Sequence, residues 1–298
     1  MYARRHPYLV FLLVAAALGA VTTLGLSGLF MLGSDRAEFD FGEKVGVVEV
    51  SGIIVDARDA IDQIKQLREE SSIKAIVVRI NSPGGAVAPS QEIYREIRKT
   101  VPLKKVVASM GAVAASGGYY IAAAADGIIA SPGTITGSIG VIMAYTNYRA
   151  LLDKIGLVPV VVKSGTYKDT GSPVREMTAS EKELLEGLIA KIHHQFVQDI
   201  VDGRRMDPEK VAMLADGRIY TGEESMALGL IDRLGNIEDA IEWAGRMGGI
   251  EGKVSAVYVG KDEFSLLDYL LGTSLKTYLV RLLKGELAAE VMYRPEAR

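Results

Sequence analysis

The 298-residue sequence contains no cysteine. That removes disulfides, thiolate metal sites and a cysteine nucleophile in one step. Histidine is nearly absent as well: His6, His193 and His194 are the only three, so a hydrolytic serine has few places to find its usual proton acceptor. Neither sign of charge dominates. With 34 Lys and Arg against 37 Asp and Glu, nothing global points to nucleic acid or another polyanion. Neither GxGxxG nor GxxxxGK[ST] occurs, which leaves nucleotide binding with little support. No internal repeat is evident, and the length suits one large domain or two small ones.

Long uncharged runs are also rare, with one exception. LVFLLVAAALGAVTTLGLSGLFML (9–32) is 24 residues without a charge, above the roughly 20 needed to span a bilayer as a helix. It exceeds the about 7–15 residues of a secretory apolar region, and its small-residue sites lie inside the run rather than after it, which disfavours a cleaved signal peptide. Arg4, Arg5 and His6 precede it; Asp35, Glu38, Asp40 and Glu43 are prominent after it. The positive-inside rule then predicts a single-pass anchor with a cytoplasmic N-terminus (1–33) and everything from about Ser34 outside the cytoplasm.

Residues 34–44 read as a charged linker, 45–250 as one domain and 251–298 as a C-terminal extension. VGVVEV (45–50) and IKAIVVRI (73–80) are strand-like, with helical spacing between them over 60–70. NSPGGAVAPS (81–90) demands a turn. A helix near 89–100, a strand over 105–109, a helix through the Ser116 segment and a strand over 127–131 follow. Alternating strands and helices predict an α/β domain with largely parallel pairing, whose sites collect at the carboxyl ends of strands. VPVVV (158–162) is also strand-like. From Thr178 or Ser180, each followed by acidic residues, a long amphipathic helix runs to about Arg204, and shorter helices are expected over 207–217, 225–232 and 237–248. The segment 264–287 suits a packed terminal helix or a membrane-surface or partner-docking helix.

In MGAVAASGGYYIAAAAD (110–126), Ser116 is the lone hydroxyl among alanines and glycines. Tight packing through small residues is one explanation. A nucleophile is the other, since attack requires backbone N–H groups close to the reacting carbonyl and neighbours without bulk. Two glycine turns, at 81–85 and 116–118, fall at strand ends and suit an oxyanion site, with Gly85 and Gly117 as the N–H donors.

A proton acceptor is then required. His6 lies on the wrong side of the expected membrane span. His193 and His194 are neighbours on a helix, so at most one aims at any given site. Lysine is the alternative, provided it is neutral, which requires displacing its ordinary value of about 10.4. KSGTYKD (163–169) offers Lys163 and Lys168, and residue chemistry does not choose between them.

Five segments together, NSPGG (81–85), SMGAVAASGGYY (109–120), TGSIGV (136–141), KSGTYKD (163–169) and ADGRIYTG (215–222), resemble the signal peptide peptidase A family in its short, single-half form. The resemblance covers about 45–248. It implies a Clp protease/crotonase-like fold, Ser116 as nucleophile, Lys168 rather than Lys163 as base, Ser138 as the residue orienting the lysine, and neither cofactor nor metal. It further implies cleavage of remnant signal peptides by a ring-shaped homo-oligomer with sites shared between protomers. Where family members often carry a third glycine after SPGG, this chain has Ala86. A crotonase-like acyl-CoA hydrolase or isomerase is the rival enzyme class, although a Ser–Lys pair has no purpose there. A membrane scaffold that lost activity is the rival outside enzymes.

Overall fold

The computed structural model describes residue 8, residues 18–23 and residues 42–259. The chain divides into two compact units, 1–42 and 43–298. In the first, residues 18–23 are helical. Most of the expected span at 9–32, most of the linker and the expected helix at 264–287 lie outside the described residues. Among those described, no helix is long and apolar enough to cross a membrane.

In its described residues, the second unit is an α/β domain built on eight strands. In chain order these are β1 (Lys44–Ser51), β2 (Ile73–Ser82), β3 (Lys105–Ala115), β4 (Gly127–Ala130), β5 (Ile135–Gly137), β6 (Ile219–Thr221), β7 (Arg233–Leu234) and β8 (Ser255–Tyr258). The main path is β6-β5-β3-β2-β1-β8, with β4 pairing both β3 and β7. Among the described strands, only β5 and β6 pair antiparallel. The helices are α1 (Arg58–Glu69), α2 (Val87–Thr100), α3 (Gly117–Ala122), α4 (Arg149–Ile155), α5 (Ala179–Arg204), α6 (Pro208–Leu214), α7 (Gly222–Leu228) and α8 (Ile237–Met247).

The continuous apolar runs of β1 and β2 follow from burial on both faces, as expected for parallel strands under helices. Val48, Val50, Ile76, Val78 and Ile80 point into a core shared with Ile64 and Leu67 of α1, Ile93 and Ile97 of α2, α3, and Phe196 and Ile200 of α5. Val45, Val47, Ala75 and Val77 point the other way, onto Ala240, Ile241 and Ala244 of α8. Helix α5 begins on the anticipated capping box. Thr178 accepts from the Glu181 N–H, while Glu181 reaches back to the Thr178 N–H at 2.9 Å.

Two expected elements differ. The strand expected to stop at 109 continues as β3 to Ala115, so the Ser116 segment is strand before the serine and helix only after it. The continuation is held by new pairing: β3 bonds β4 through Val107–Ser109 and then β5 through Val113–Ala115. The strand expected over 158–162 is not formed. No neighbouring strand pairs with it in the described chain, and Val158, Val160 and Val162 are 84%, 84% and 96% exposed. They belong to a longer apolar surface segment that includes Ile142, Leu151, Ile155 and Leu157.

Candidate active site

Ser116 sits where β3 ends and α3 begins, and it makes this junction at φ 53°, ψ −119°. A side-chain-bearing residue rarely adopts such a backbone; the cost is about 1–3 kcal/mol. The surroundings over-determine it. The Ser116 N–H donates to the Gly137 carbonyl at 2.8 Å and its carbonyl accepts from Tyr120 N–H at 2.9 Å. Beyond it, α3 is wholly buried, and the Tyr119 hydroxyl is anchored to the Leu230 carbonyl at 3.0 Å. A strand, a strained serine and a helix in succession present a hydroxyl at the end of a sheet with helix N–H groups behind it.

The SPGG turn lies against this junction. A methyl placed on Gly84, whose φ is +102°, would sit 2.8 Å from the Gly117 nitrogen and 2.9 Å from Ser116 Cβ. One placed on Gly117 would lie 2.5 Å from Ser90 Oγ and 3.3 Å from the Gly85 nitrogen. Glycine is therefore required here for close approach. The turn is pinned by a parallel bridge between Ile54 and Gly85. That bridge uses the Gly84 carbonyl, which accepts from Ile54 N–H, and the Ala86 N–H, which donates to Ile54. The intervening Gly85 N–H takes no part in it. Gly117, the first residue of α3, likewise has no carbonyl one turn before it to bond. Among the described residues, two amide donors thus remain uncommitted beside one hydroxyl.

An open cleft of about 530 Å³ is lined by Gly84, Gly85, Ser116, Ser138, Asp216 and Gly217, among others. A small adjoining apolar pocket is formed by Val87, Ser90, Tyr120, Val141, Ile192 and Phe196 around Ser116. Ser138 also has positive φ, 49°, and its N–H donates to the Arg218 carbonyl at 2.8 Å. The ADGR turn that supplies this carbonyl ties Asp216 to Arg218, which holds the Asp216 carboxyl below its usual range.

The structure therefore brings Ser116, Gly85, Gly117 and Ser138 together. Lys168 is not among the residues lining either cleft. It lies in an exposed turn just after the apolar segment, its N–H donating to the Gly165 carbonyl at 3.2 Å. Lys163 is engaged elsewhere: its ammonium binds Asp169 at 2.5 Å. His193 and His194 line neither cleft, although Ile192 and Phe196 of the same helix do. Tyr120 was not anticipated. It stacks on Phe196 at 4.3 Å, bonds the Asp199 carboxylate and accepts from Gln91, thereby fixing the pocket wall. Burial pushes its hydroxyl well above the usual range. Among the described residues, no group of three or more histidines and carboxylates is placed to hold a metal ion.

Residues 98–250 match the model of peptidase family S49, and residues 51–134 match that of Clp protease. The chain belongs to peptidase family S49. It is 45% identical over 210 residues to a provisionally named protease of Synechocystis sp., a match covering 70% of this chain and 76% of that one. A provisionally named signal peptide peptidase of Enterococcus faecium is 34% identical over 240 residues, 74% of this chain and 70% of the relative. The chloroplastic serine protease SPPA of Arabidopsis thaliana is 36% identical over 272 residues; these are 88% of this chain but 40% of the plant protein. The parallel-dominated sheet agrees with the Clp protease match. The protein is a serine protease of the S49 family.

Proposed function

We propose that the protein is a membrane-tethered endopeptidase that uses a Ser116–Lys168 dyad to degrade remnant signal peptides outside the cytoplasm. The observation that carries this reading is Ser116 held at positive φ beside the two uncommitted amides of Gly85 and Gly117. Lys168, as a neutral amine oriented by Ser138, takes the Ser116 proton while Oγ attacks the peptide carbonyl. The Gly85 and Gly117 N–H groups receive the oxyanion. The tetrahedral intermediate collapses as Lys168 delivers its proton to the leaving amine. The same lysine then takes a proton from a water that attacks the acyl ester, and as the ester bond breaks Lys168 returns that proton to Ser116 Oγ. The small pocket walled by Val87, Tyr120 and Phe196 suits a short apolar side chain on the acyl side of the scissile bond. The uncharged run at 9–32 supplies the anchor and brings the enzyme to the bilayer, where apolar peptides concentrate.

The site is completed between protomers. Lys168 lines neither Ser116 cleft within one chain, and the segment leading to it exposes a row of apolar side chains that a second copy would cover. Repetition of such a head-to-tail contact closes a ring. Co-expression of Ser116→Ala with Lys168→Ala tests both the dyad and its sharing. Each variant alone should be inactive on an unstructured peptide, and hybrids that pair a wild-type serine with a neighbour's wild-type lysine should recover a fraction of wild-type activity. Verified hybrids without activity would place both residues in one chain; an active Lys168→Ala enzyme would remove Lys168 as the base.

A further inference from the structure

Asp169 follows Lys168 directly, and a carboxylate beside an amine would ordinarily hold it as ammonium. The structure directs that carboxylate elsewhere. One oxygen takes the Lys163 ammonium at 2.5 Å and the other takes Arg175 Nε at 2.8 Å. Arg175 also donates to the Asp169 carbonyl at 3.0 Å, and its two terminal nitrogens reach both oxygens of Glu181 at 2.8 and 2.5 Å. Glu181 in turn closes the capping box of α5 on Thr178. Glu181 and Asp169 are 4% and 15% exposed, whereas Arg175 at 28% and Lys163 at 35% remain partly open to water. Among the described residues, the Lys168 ammonium has neither an ion pair nor a side-chain hydrogen bond. The arrangement ties the lysine turn to the first turn of a 26-residue helix and contains two cations and two anions, so its net charge is zero.

We propose that Asp169 is a positioning residue for Lys168, and that the Lys163–Asp169–Arg175–Glu181 cluster fixes the lysine turn while neutralising the one carboxylate adjacent to the base. This rests on the assignment of Lys168 above. Lys163 then has a defined purpose: it is the counter-ion of Asp169. Other charges near these elements are already matched or solvated. Lys182 pairs with Glu186 on the outer face of α5, exposed Glu176 accepts from Asn147, and Asp216 on the cleft rim is bound by Arg218. In agreement with the geometry, Arg175 and Lys163 hold the Asp169 carboxyl far below its usual range, and Arg175 with the Thr178 N–H holds Glu181 at about 2.

The test is the pH profile of kcat/KM for the full-length protein on a fluorogenic unstructured peptide. Lys163→Met leaves the cluster with one excess negative charge, so its midpoint should move to higher pH by about 0.5–1 unit, for charges several ångströms apart at intermediate polarity, with the alkaline plateau retained. Lys163→Arg should restore the wild-type midpoint. Asp169→Asn leaves one excess positive charge and should move the midpoint to lower pH while lowering the plateau, because the turn loses its anchor. A merely structural cluster would lower activity equally at all pH and leave each midpoint in place, and that result would overturn the proposal. Should Asp169→Asn fail to fold, the two Lys163 variants decide alone. Lys168→Ala run in parallel separates the two claims. An inactive Lys168→Ala with an unshifted Lys163→Met removes only the positioning role, whereas an active Lys168→Ala removes the dyad and this inference with it.

Discussion

Ser116 has its hydroxyl at the cost of a strained backbone, and that strain can be measured without reference to catalysis. Ser116→Ala and Ser116→Gly both lack the oxygen and should both be inactive. They differ in that alanine must still adopt φ 53°, ψ −119°, whereas glycine occupies that region freely. Relief of the strain contributes about 1–3 kcal/mol. Against it stands the larger backbone entropy that glycine loses on folding, roughly 0.5–1 kcal/mol. The methyl itself adds little, because the Ser116 side chain faces the open cleft. The glycine variant should therefore be the more stable by about 1 kcal/mol, or roughly 2–4 °C in Tm for a domain of this size. Calorimetry or thermal circular dichroism on the two purified variants reads the difference directly. At an ordinary position the order is reversed, and a glycine variant less stable than the alanine one by about 0.5–1 kcal/mol would refute the claim that the fold holds this serine under strain.

Gly84→Ala directs a methyl at the Gly117 nitrogen and at Ser116 Cβ from a residue at φ +102°. It should lower kcat by about 100-fold through a displaced oxyanion donor, while Gly133→Ala, which meets nothing within 4 Å, should behave as wild type in the same peptide assay. The Asp169–Arg175–Glu181 cluster also predicts where acid acts first. Both carboxyls lie lower in the folded protein than in the unfolded chain, Glu181 at about 2, so their stabilisation is complete above about pH 4–5 and is lost as pH falls toward 2. Proteolysis by pepsin or hydrogen exchange at pH 3 against pH 6 should show residues 163–181 opening before the β1–β3 core; simultaneous opening would exclude this order.

The parts legible in the sequence are those governed by local rules or by burial on two faces. β1 and β2 read as strands because both of their surfaces meet helices, and the start of α5 was marked by Thr178 or Ser180 ahead of acidic residues, of which the structure uses Thr178 with Glu181. The glycines at 84, 85 and 117 were legible as turn residues, whereas their approach to Ser116 comes from tertiary packing and the Ile54–Gly85 bridge. The extension of β3 was not legible, since Gly111–Ala115 is small-residue sequence that suits helix or strand equally, and what makes it strand is pairing with β5 some twenty residues later. Strands of two or three residues, such as β5, β6 and β7, are too short to leave a periodic signal. β8 lies beyond residue 250, in the stretch expected as an extension, and joins the sheet only through its register with β1. The role of Lys163 was hidden for a different reason. Its partner Asp169 is visible in the same motif, but Arg175 and Glu181 join them only because the chain folds back onto the start of α5.

VPVVV was misread for a reason that bears on function. Alternating valines signal a strand when one face meets a core, yet here Val158, Val160 and Val162 lie almost fully in solvent with no strand beside them. Leaving three such side chains exposed forgoes roughly 1.5–3 kcal/mol each relative to burial. The same stretch leads within a few residues to Lys168, the base of the proposed dyad. A single contact between copies would cover the valines and deliver the lysine together, so that apolar burial supports the cost of placing an amine beside Ser116. In that arrangement the hydroxyl, its amide donors and Ser138 are rigid parts of each protomer. On the proposed reading the base alone depends on assembly, and an isolated chain would hold a preformed oxyanion site with no means of using it.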